Sequence, residues 1–265
     1  ATTNSAFTLL SACFKPEEVV LHADEPLAQH TFFRAGGKAD VYAEPQSVAA
    51  LSALMLFCKR NNLPMQTIGG GSNAWFSDFG LPGVLCALKG ACFDNYRREG
   101  DTVTVGAGLL GAVLLDKLEA DGLSGLEFMH GIPGTVGGWA RMNAGAHQHA
   151  IWERITEIRV ALDDGQLRHL PADAVTTGYR SVRGIAGMTI LSVTFRLTPN
   201  VPHATIREQR MQYNAKRTNF AGLRTCGSLF KNEPTLSAGA TLDQIGAKSW
   251  RIGGAYVAPV HANVI

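Results

Sequence analysis

Three consecutive glycines, Gly69-Gly70-Gly71, close an apolar strand-like run (Leu63 to Ile68) and lead into Ser72-Asn73. A second glycine-rich segment, Gly131-Ile132-Pro133-Gly134-Thr135-Val136-Gly137-Gly138, follows about sixty residues later. Glycine reaches φ > 0 without a Cβ clash and lets the backbone approach a ligand closely. Successive N–H groups in such a turn form a concave anion site, suited to a pyrophosphate. Pro133 stiffens the second loop by fixing one φ angle. Neither loop fits the phosphate-loop pattern or the G-x-G-x-x-G dinucleotide fingerprint. One such loop alone is more often a tight turn. The two together point to a dinucleotide gripped from both sides.

Composition supports a ligand-binding globular chain. Hydrophobic residues make up 46% of the 265 positions, enough for a sizeable core. Glycine fills 29 positions, about half again the roughly 7% that is usual. The net charge of +2 is too mild to predict a nucleic-acid surface. Five scattered cysteines (Cys13, Cys58, Cys86, Cys92, Cys226) form no C-x-x-C pair, so neither a disulfide framework nor a zinc site is expected. That usage fits a reducing cytoplasm. No run approaches the roughly 18 apolar residues of a membrane span, and no basic-then-apolar leader opens the chain.

The first 30 residues read as a helical or irregular lead-in. Val41 to Pro45 predicts a short strand, and Ser47 to Asn62 carries helical spacing (Val48, Leu51, Leu54, Met55, Cys58) with Ser47 as N-cap. A return to strand before the triple glycine completes an α/β signature. Further strands are expected at Val84 to Leu88 and Thr102 to Val105, and a helix over Ala112 to Asp121 closed by Gly122. Asp164-Gly165 between two apolar runs predicts a hairpin, and Met188 to Leu197 a long strand. The break at Pro199 to Pro202 is the expected domain boundary: residues 1–198 as a binding module in two subdomains split near residue 65, and 199–265 as a smaller domain. Arg207 to Arg217 predicts a basic amphipathic helix.

Two short segments carry candidate chemistry. Gly178-Tyr179-Arg180-Ser181-Val182-Arg183 crowds arginines into a turn, and a guanidinium is a rigid fork of donors for a carboxylate or phosphate. In Cys226-Gly227-Ser228-Leu229-Phe230-Lys231-Asn232 the Ser228 hydroxyl follows a glycine, while Lys231 and Asn232 suit an anion. No G-x-S-x-G elbow surrounds Ser228, so acyl transfer is disfavoured. His130, His147, His149 and His261 lack metal-ligand spacing.

In order along the chain, Thr31 to Asp40, Ile68 to Asn73, Gly131 to Gly145, Tyr179-Arg180, Gly227 to Asn232 and Arg251 to Ala255 with His261-Ala262-Asn263 resemble the UDP-N-acetylenolpyruvoylglucosamine reductase family. The resemblance covers residue 30 onward. It implies a mixed α/β and α+β architecture: an FAD-binding module of the vanillyl-alcohol-oxidase type, followed by a smaller α+β substrate domain that is either truncated at Ile265 or without the family's last acidic residue. The interval from Tyr179 to Ser228 has no room for the tyrosine-bearing insertion of the longer subclass, so the shorter one is implied. FAD, held non-covalently, falls to Gly69, Gly70, Gly71, Ser72 and Asn73, to Ile132 through Gly138, and to Asn143, Ala144 and Gly145. Tyr179, Lys216 or Arg217, and Asn232 are implied to hold the UDP-sugar. Arg180 is implied to stabilise charge at C2 of the enolpyruvyl group and Ser228 to give it a proton, with NADPH as electron source. The family's catalytic glutamate is placed beyond His261-Ala262-Asn263. A cytoplasmic monomer with no metal is expected. The alternatives are a non-catalytic flavin or nucleotide-sugar binding relative and an FAD-dependent sugar or alcohol oxidase. Departures from the family pattern are Glu233 after Asn232, Val182 in place of a serine, Tyr256 after Ala255, and His147-Gln148.

Overall fold

The structure is a computed structural model that describes residues 5–217, 220, 222–233 and 235–265. The chain opens with α1 (Ser5–Ser11), β1 (Val19–Pro26), β2 (Lys38–Pro45), α2 (Val48–Arg60), β3 (Met65–Ile68) and β4 (Leu81–Ala87). These strands form a mixed sheet in the order β1-β2-β4-β3, in which β1 runs antiparallel to β2 and β4 lies parallel to both its neighbours. Strands that run the same way need a crossover between them, and α2 provides one from β2 to β3. Its register is set as the sequence predicts: the Ser47 hydroxyl accepts from the Ala50 N–H at 3.0 Å, and Leu51, Leu54, Met55 and Cys58 face the core. The lead-in differs from expectation. Residues 19–26 are a full edge strand paired along β2, hidden from a pattern reading by His22 and Asp24 on its exposed positions, where polar and charged side chains discourage pairing with another sheet.

A second sheet takes over from residue 96. It contains β5 (Tyr96–Glu99), β6 (Thr102–Gly106), then, beyond α3 (Gly111–Ala120), α4 (Val136–Arg141) and the short pair β7 (Gly145–Ala146) and β8 (His149–Ala150), strands β9 (Ile155–Ala161) and β10 (Leu167–Pro171). A small hairpin, β11 (Thr176–Gly178) and β12 (Ser181–Arg183), precedes β13 (Thr189–Arg196). The order β10-β9-β13-β6-β5 is antiparallel throughout. The β9–β10 turn closes through Leu162 N–H to Gln166 O at 2.8 Å with Gly165 at φ 82°, the left-handed residue that a three-residue hairpin loop needs. One hydrophobic core runs through both sheets, from Val41, Leu54 and Val84 to Val103, Ile158 and Val193. A smaller cluster of Leu27, Tyr42, Ile68 and Leu85 lies apart from it. The expected division near residue 65 does not follow the sheets, because β3 and β4 complete the first one and the change falls between Ala87 and Tyr96.

After β13 the chain forms α5 (His203–Ala215), α6 (Ala238–Gln244) and the pair β14 (Arg251–Ile252) and β15 (Ala255–Tyr256). Besides burying Ile206, helix α5 is bolted to α3 by charge. The guanidinium of Arg210, nearly buried, donates to Glu119 and Asp116 at 2.7 Å each and to His130 Nδ1 at 3.2 Å. Arg207 adds a second donor to Glu119 at 2.7 Å. Burial alone would raise the Glu119 pKa, but the hydrogen bonds from Arg207 and Arg210 outweigh it and hold the carboxyl below its ordinary value.

Candidate active site

Strand β3 ends at buried Ile68, and the triple glycine leaves the sheet there. Gly71 takes φ 67°, and a Cβ on it would collide with the His30 carbonyl; its own carbonyl accepts from Phe32 N–H at 3.1 Å. Gly70 needs its missing side chain for a different reason. A Cβ there would sit 3.0 Å from the Gly134 Cα, so the two glycine loops touch backbone to backbone. Gly69 abuts Thr135, whose hydroxyl would lie 2.6 Å from an added Cβ. The second loop is fixed from beneath: Trp139 Nε1 donates to Pro133 O at 2.9 Å, Gly111 N–H to Gly134 O at 2.9 Å, and the Thr135 hydroxyl caps α4. Among the described residues, the N–H groups of Gly70 through Asn73 are spent on no protein carbonyl. A set of free backbone donors in a cleft that only glycine leaves open fits a diphosphate.

These loops line a cavity of about 960 Å³, near the top of the ~300–1,000 Å³ range of small-molecule sites. Its charge is one-sided. Arg141, Arg180, Arg217 and Lys231 reach it, and no aspartate or glutamate among the described residues does. Arg180 occupies the turn of the β11–β12 hairpin at φ 51°. Its guanidinium donates to Gly145 O at 2.8 Å and to Asn143 O at 3.5 Å, and lies 5.2 Å from the Tyr179 ring centre. Arg217 comes from the turn after α5. Its pKa is lowered by burial first and by the charge of Arg180 second, which places two like charges in the same confined space. An arginine stays protonated under such pressure, so the pair demands an anion.

Ser228 enters from the C-terminal part of the chain. Gly227 turns at φ 86°, and Ser228 bridges to Val264. Buried Asn263 clamps the next residues. Its carbonyl accepts from Leu229 N–H at 3.0 Å, its side-chain oxygen from Phe230 N–H at 2.9 Å, and its amide donates to Phe230 O at 2.8 Å. The role of the His261-Ala262-Asn263 block in this structure is therefore to hold the Ser228 segment against the cavity. Cys226 lines the cavity too, with its thiol pushed up by burial.

Of the residues singled out in the sequence, Gly69 through Asn73, Ile132 through Thr135, Gly137, Gly138, Ala144, Gly145, Tyr179, Arg180, Arg217 and Ser228 share this one lining. Four stand off it. Val136 turns into the core, Lys216 is an exposed C-cap of α5, and Asn143 lies beneath the wall. Asn232 is exposed and accepts from Ala238 N–H at 3.0 Å, at the start of α6. Lining residues that the sequence reading does not single out, such as Thr67, Gly108, Met188 and Ile190, come from strand ends; Trp139 and Arg141 lie inside the Gly131 to Gly145 block, which assigns them no role.

Comparison with known proteins agrees with this architecture. Residues 39–171 match an FAD binding domain, and residues 218–265 match the UDP-N-acetylenolpyruvoylglucosamine reductase C-terminal domain. The chain is 36% identical over 248 residues to the UDP-N-acetylenolpyruvoylglucosamine reductase of Pelobacter propionicus, covering 93% of this chain and 83% of that one. It is 37% identical to the enzyme of that name from Geobacter metallireducens, over 91% of this chain and 80% of the other. Among solved structures it superposes on the Thermus caldophilus reductase with TM-score 0.80 at 28% identity, covering 93% and 87% of the two chains. The glucose dehydrogenase Phl p 4.0202, at 14% identity and TM-score 0.53 over 72% of this chain and 43% of the other, shares the fold alone. The two glycine loops, the cationic cavity they enclose and these matches place the chain in the UDP-N-acetylenolpyruvoylglucosamine reductase family.

Proposed function

We propose that the protein is an FAD-dependent reductase that uses NADPH to convert UDP-N-acetylglucosamine enolpyruvate to UDP-N-acetylmuramate, in peptidoglycan precursor synthesis. The observation that carries this reading is the convergence, in one acid-free cavity, of the two touching glycine loops with Arg180 and Ser228. The free N–H groups of residues 70–73, with those of Gly134 and Thr135 on the facing loop, hold the FAD diphosphate, and Ala144 and Gly145 line the same wall. When bound, FAD supplies the two-electron chemistry that links the nicotinamide to the enolpyruvyl double bond.

The protein's own residues handle the charge and the proton. Reduction at C3 of the enolpyruvyl group leaves an electron pair on C2, delocalised toward its carboxylate. Arg180 already has its guanidinium oriented by two backbone carbonyls, so it meets that charge without reorganising, which is what makes preorganised donors effective. Ser228 gives its hydroxyl proton to C2, a transfer that a weak acid makes only where geometry is tight and the carbanion strongly basic. Arg217 and Tyr179, on the same wall, bind the substrate. We further infer a cytoplasmic enzyme acting as a monomer, with Lys216 and Asn232 outside the cavity lining. It is tested by following NADPH oxidation with and without the enolpyruvyl substrate and identifying the product by mass. Substrate-independent oxidation, with oxygen consumed instead, makes it an oxidase. FAD that stays attached after acid precipitation refutes non-covalent binding.

A further inference from the structure

We propose that Asn143 is a positioning residue for Arg180 rather than a flavin contact; the inference rests on the reductase reading above. Asn143 is buried, sits at φ 44°, and lies outside the cavity lining. Its two ends grip the same hairpin. The side-chain amide donates to Gly178 O at 2.9 Å, on the last residue before the Tyr179-Arg180 turn. Its carbonyl accepts from Arg180 Nη1 at 3.5 Å, two residues before Gly145 O takes Nη2 at 2.8 Å.

The left-handed conformation connects these contacts. Asparagine is one of the few side-chain-bearing residues that adopts positive φ readily, and at that angle residue 143 sends its amide to one side of the hairpin and its carbonyl to the tip. The tip is itself strained, because Arg180 also has positive φ, at 51°. A two-residue turn with arginine in that conformation is held only if its surroundings over-determine it. The hairpin has just three paired positions, too few for an isolated ribbon to be stable. Asn143 supplies the outside fastening. Without its amide, Gly178 O loses the donor that ties the hairpin to its surroundings, the turn loosens, and the guanidinium no longer waits where charge builds at C2.

The test uses the full, FAD-loaded chain and two variants. Asn143→Gly keeps positive φ accessible and deletes the amide. Asn143→Asp keeps size and φ tolerance and replaces the donor by an acceptor facing Gly178 O. Both are expected to retain FAD with affinity within about twofold of the parent and to be reduced by NADPH at the parental rate. Reoxidation by the enolpyruvyl substrate is expected to slow by ~10–10²-fold, in line with misplacement of a catalytic group by about 1 Å, with the loss in kcat rather than KM. Weakened flavin affinity in Asn143→Gly makes Asn143 a cofactor contact and overturns the proposal, as does parental substrate reduction in both variants. If the unmutated protein binds FAD but never reduces the substrate, the underlying reading fails instead.

Discussion

Arg180 combines a left-handed backbone, a guanidinium tied to two carbonyls and a ring at its back. Arg180→Lys keeps the charge but loses the planar fork. We expect kcat to fall by ~10²–10³-fold, as for loss of one oxyanion-type donor, with KM changed little; a kcat within about twofold of the parent removes Arg180 from the catalytic set. Ser228→Ala is expected to leave flavin reduction by NADPH intact and to slow the substrate half-reaction by ~10²–10⁴-fold, read by stopped flow on each half separately. Gly70→Val is expected to lower FAD occupancy, because a side chain at a point already 3.0 Å from the Gly134 Cα drives the loops apart; full flavin content in that variant contradicts the cradle. The identity of these residues is legible in the sequence, but their reasons are only partly so. Of the three glycines only Gly71 takes the positive φ that the loop's composition suggests, and contact between loops is a tertiary fact with no local signature. Arg217 and its neighbour Lys216 look equivalent in sequence; only the docking of α5 turns one into the cavity and the other to solvent.

The docking of α5 on α3 is a polar joint, and it makes its own predictions. Arg210→Met leaves Glu119 to Arg207 alone, and losing a hydrogen bond between charged groups is expected to cost about 1.5–3 kcal/mol. Urea denaturation at matched flavin occupancy measures it; a loss under 1 kcal/mol means that the helix is held by other contacts. The joint also sets acid sensitivity. Glu119 is held below its ordinary pKa of 4.5 in the folded state, so its contribution is present above that pH and is lost as pH falls through the folded value. Burial and the adjacent Arg210 hold His130 below its ordinary 6.5, so the folded state prefers the neutral ring and stability starts to fall as pH drops below that value. Melting temperature is therefore expected to be level above neutrality and to decline from about pH 6.5 downward, and an acid-flat profile contradicts the assignment. Elements whose signals are local were legible: the Ser47 cap, the Asp164-Gly165 hairpin, and the turn carrying Tyr179-Arg180. Strand β1 was not, since an edge strand with charged outward positions resembles a loop until its partner is known.

For the molecule as a whole, the cavity is assembled from three distant parts of the chain: the loop leaving the first sheet, the loop and hairpin of the second, and the C-terminal segment clamped by Asn263. Motif order along the sequence announces all three, which is why the architecture was readable before any geometry. What a linear reading cannot supply is the seam between the sheets, placed near residue 65 in the sequence and found after Ala87, because β4 inserts between earlier strands. The central claim is that these parts cooperate in one two-stage redox site. The most direct measurement is anaerobic stopped flow on the flavin-loaded protein, watching the visible band of oxidised FAD. NADPH should bleach it, and subsequent addition of UDP-N-acetylglucosamine enolpyruvate should restore it stoichiometrically with formation of UDP-N-acetylmuramate. A band that NADPH cannot bleach, or that only oxygen restores, contradicts the account.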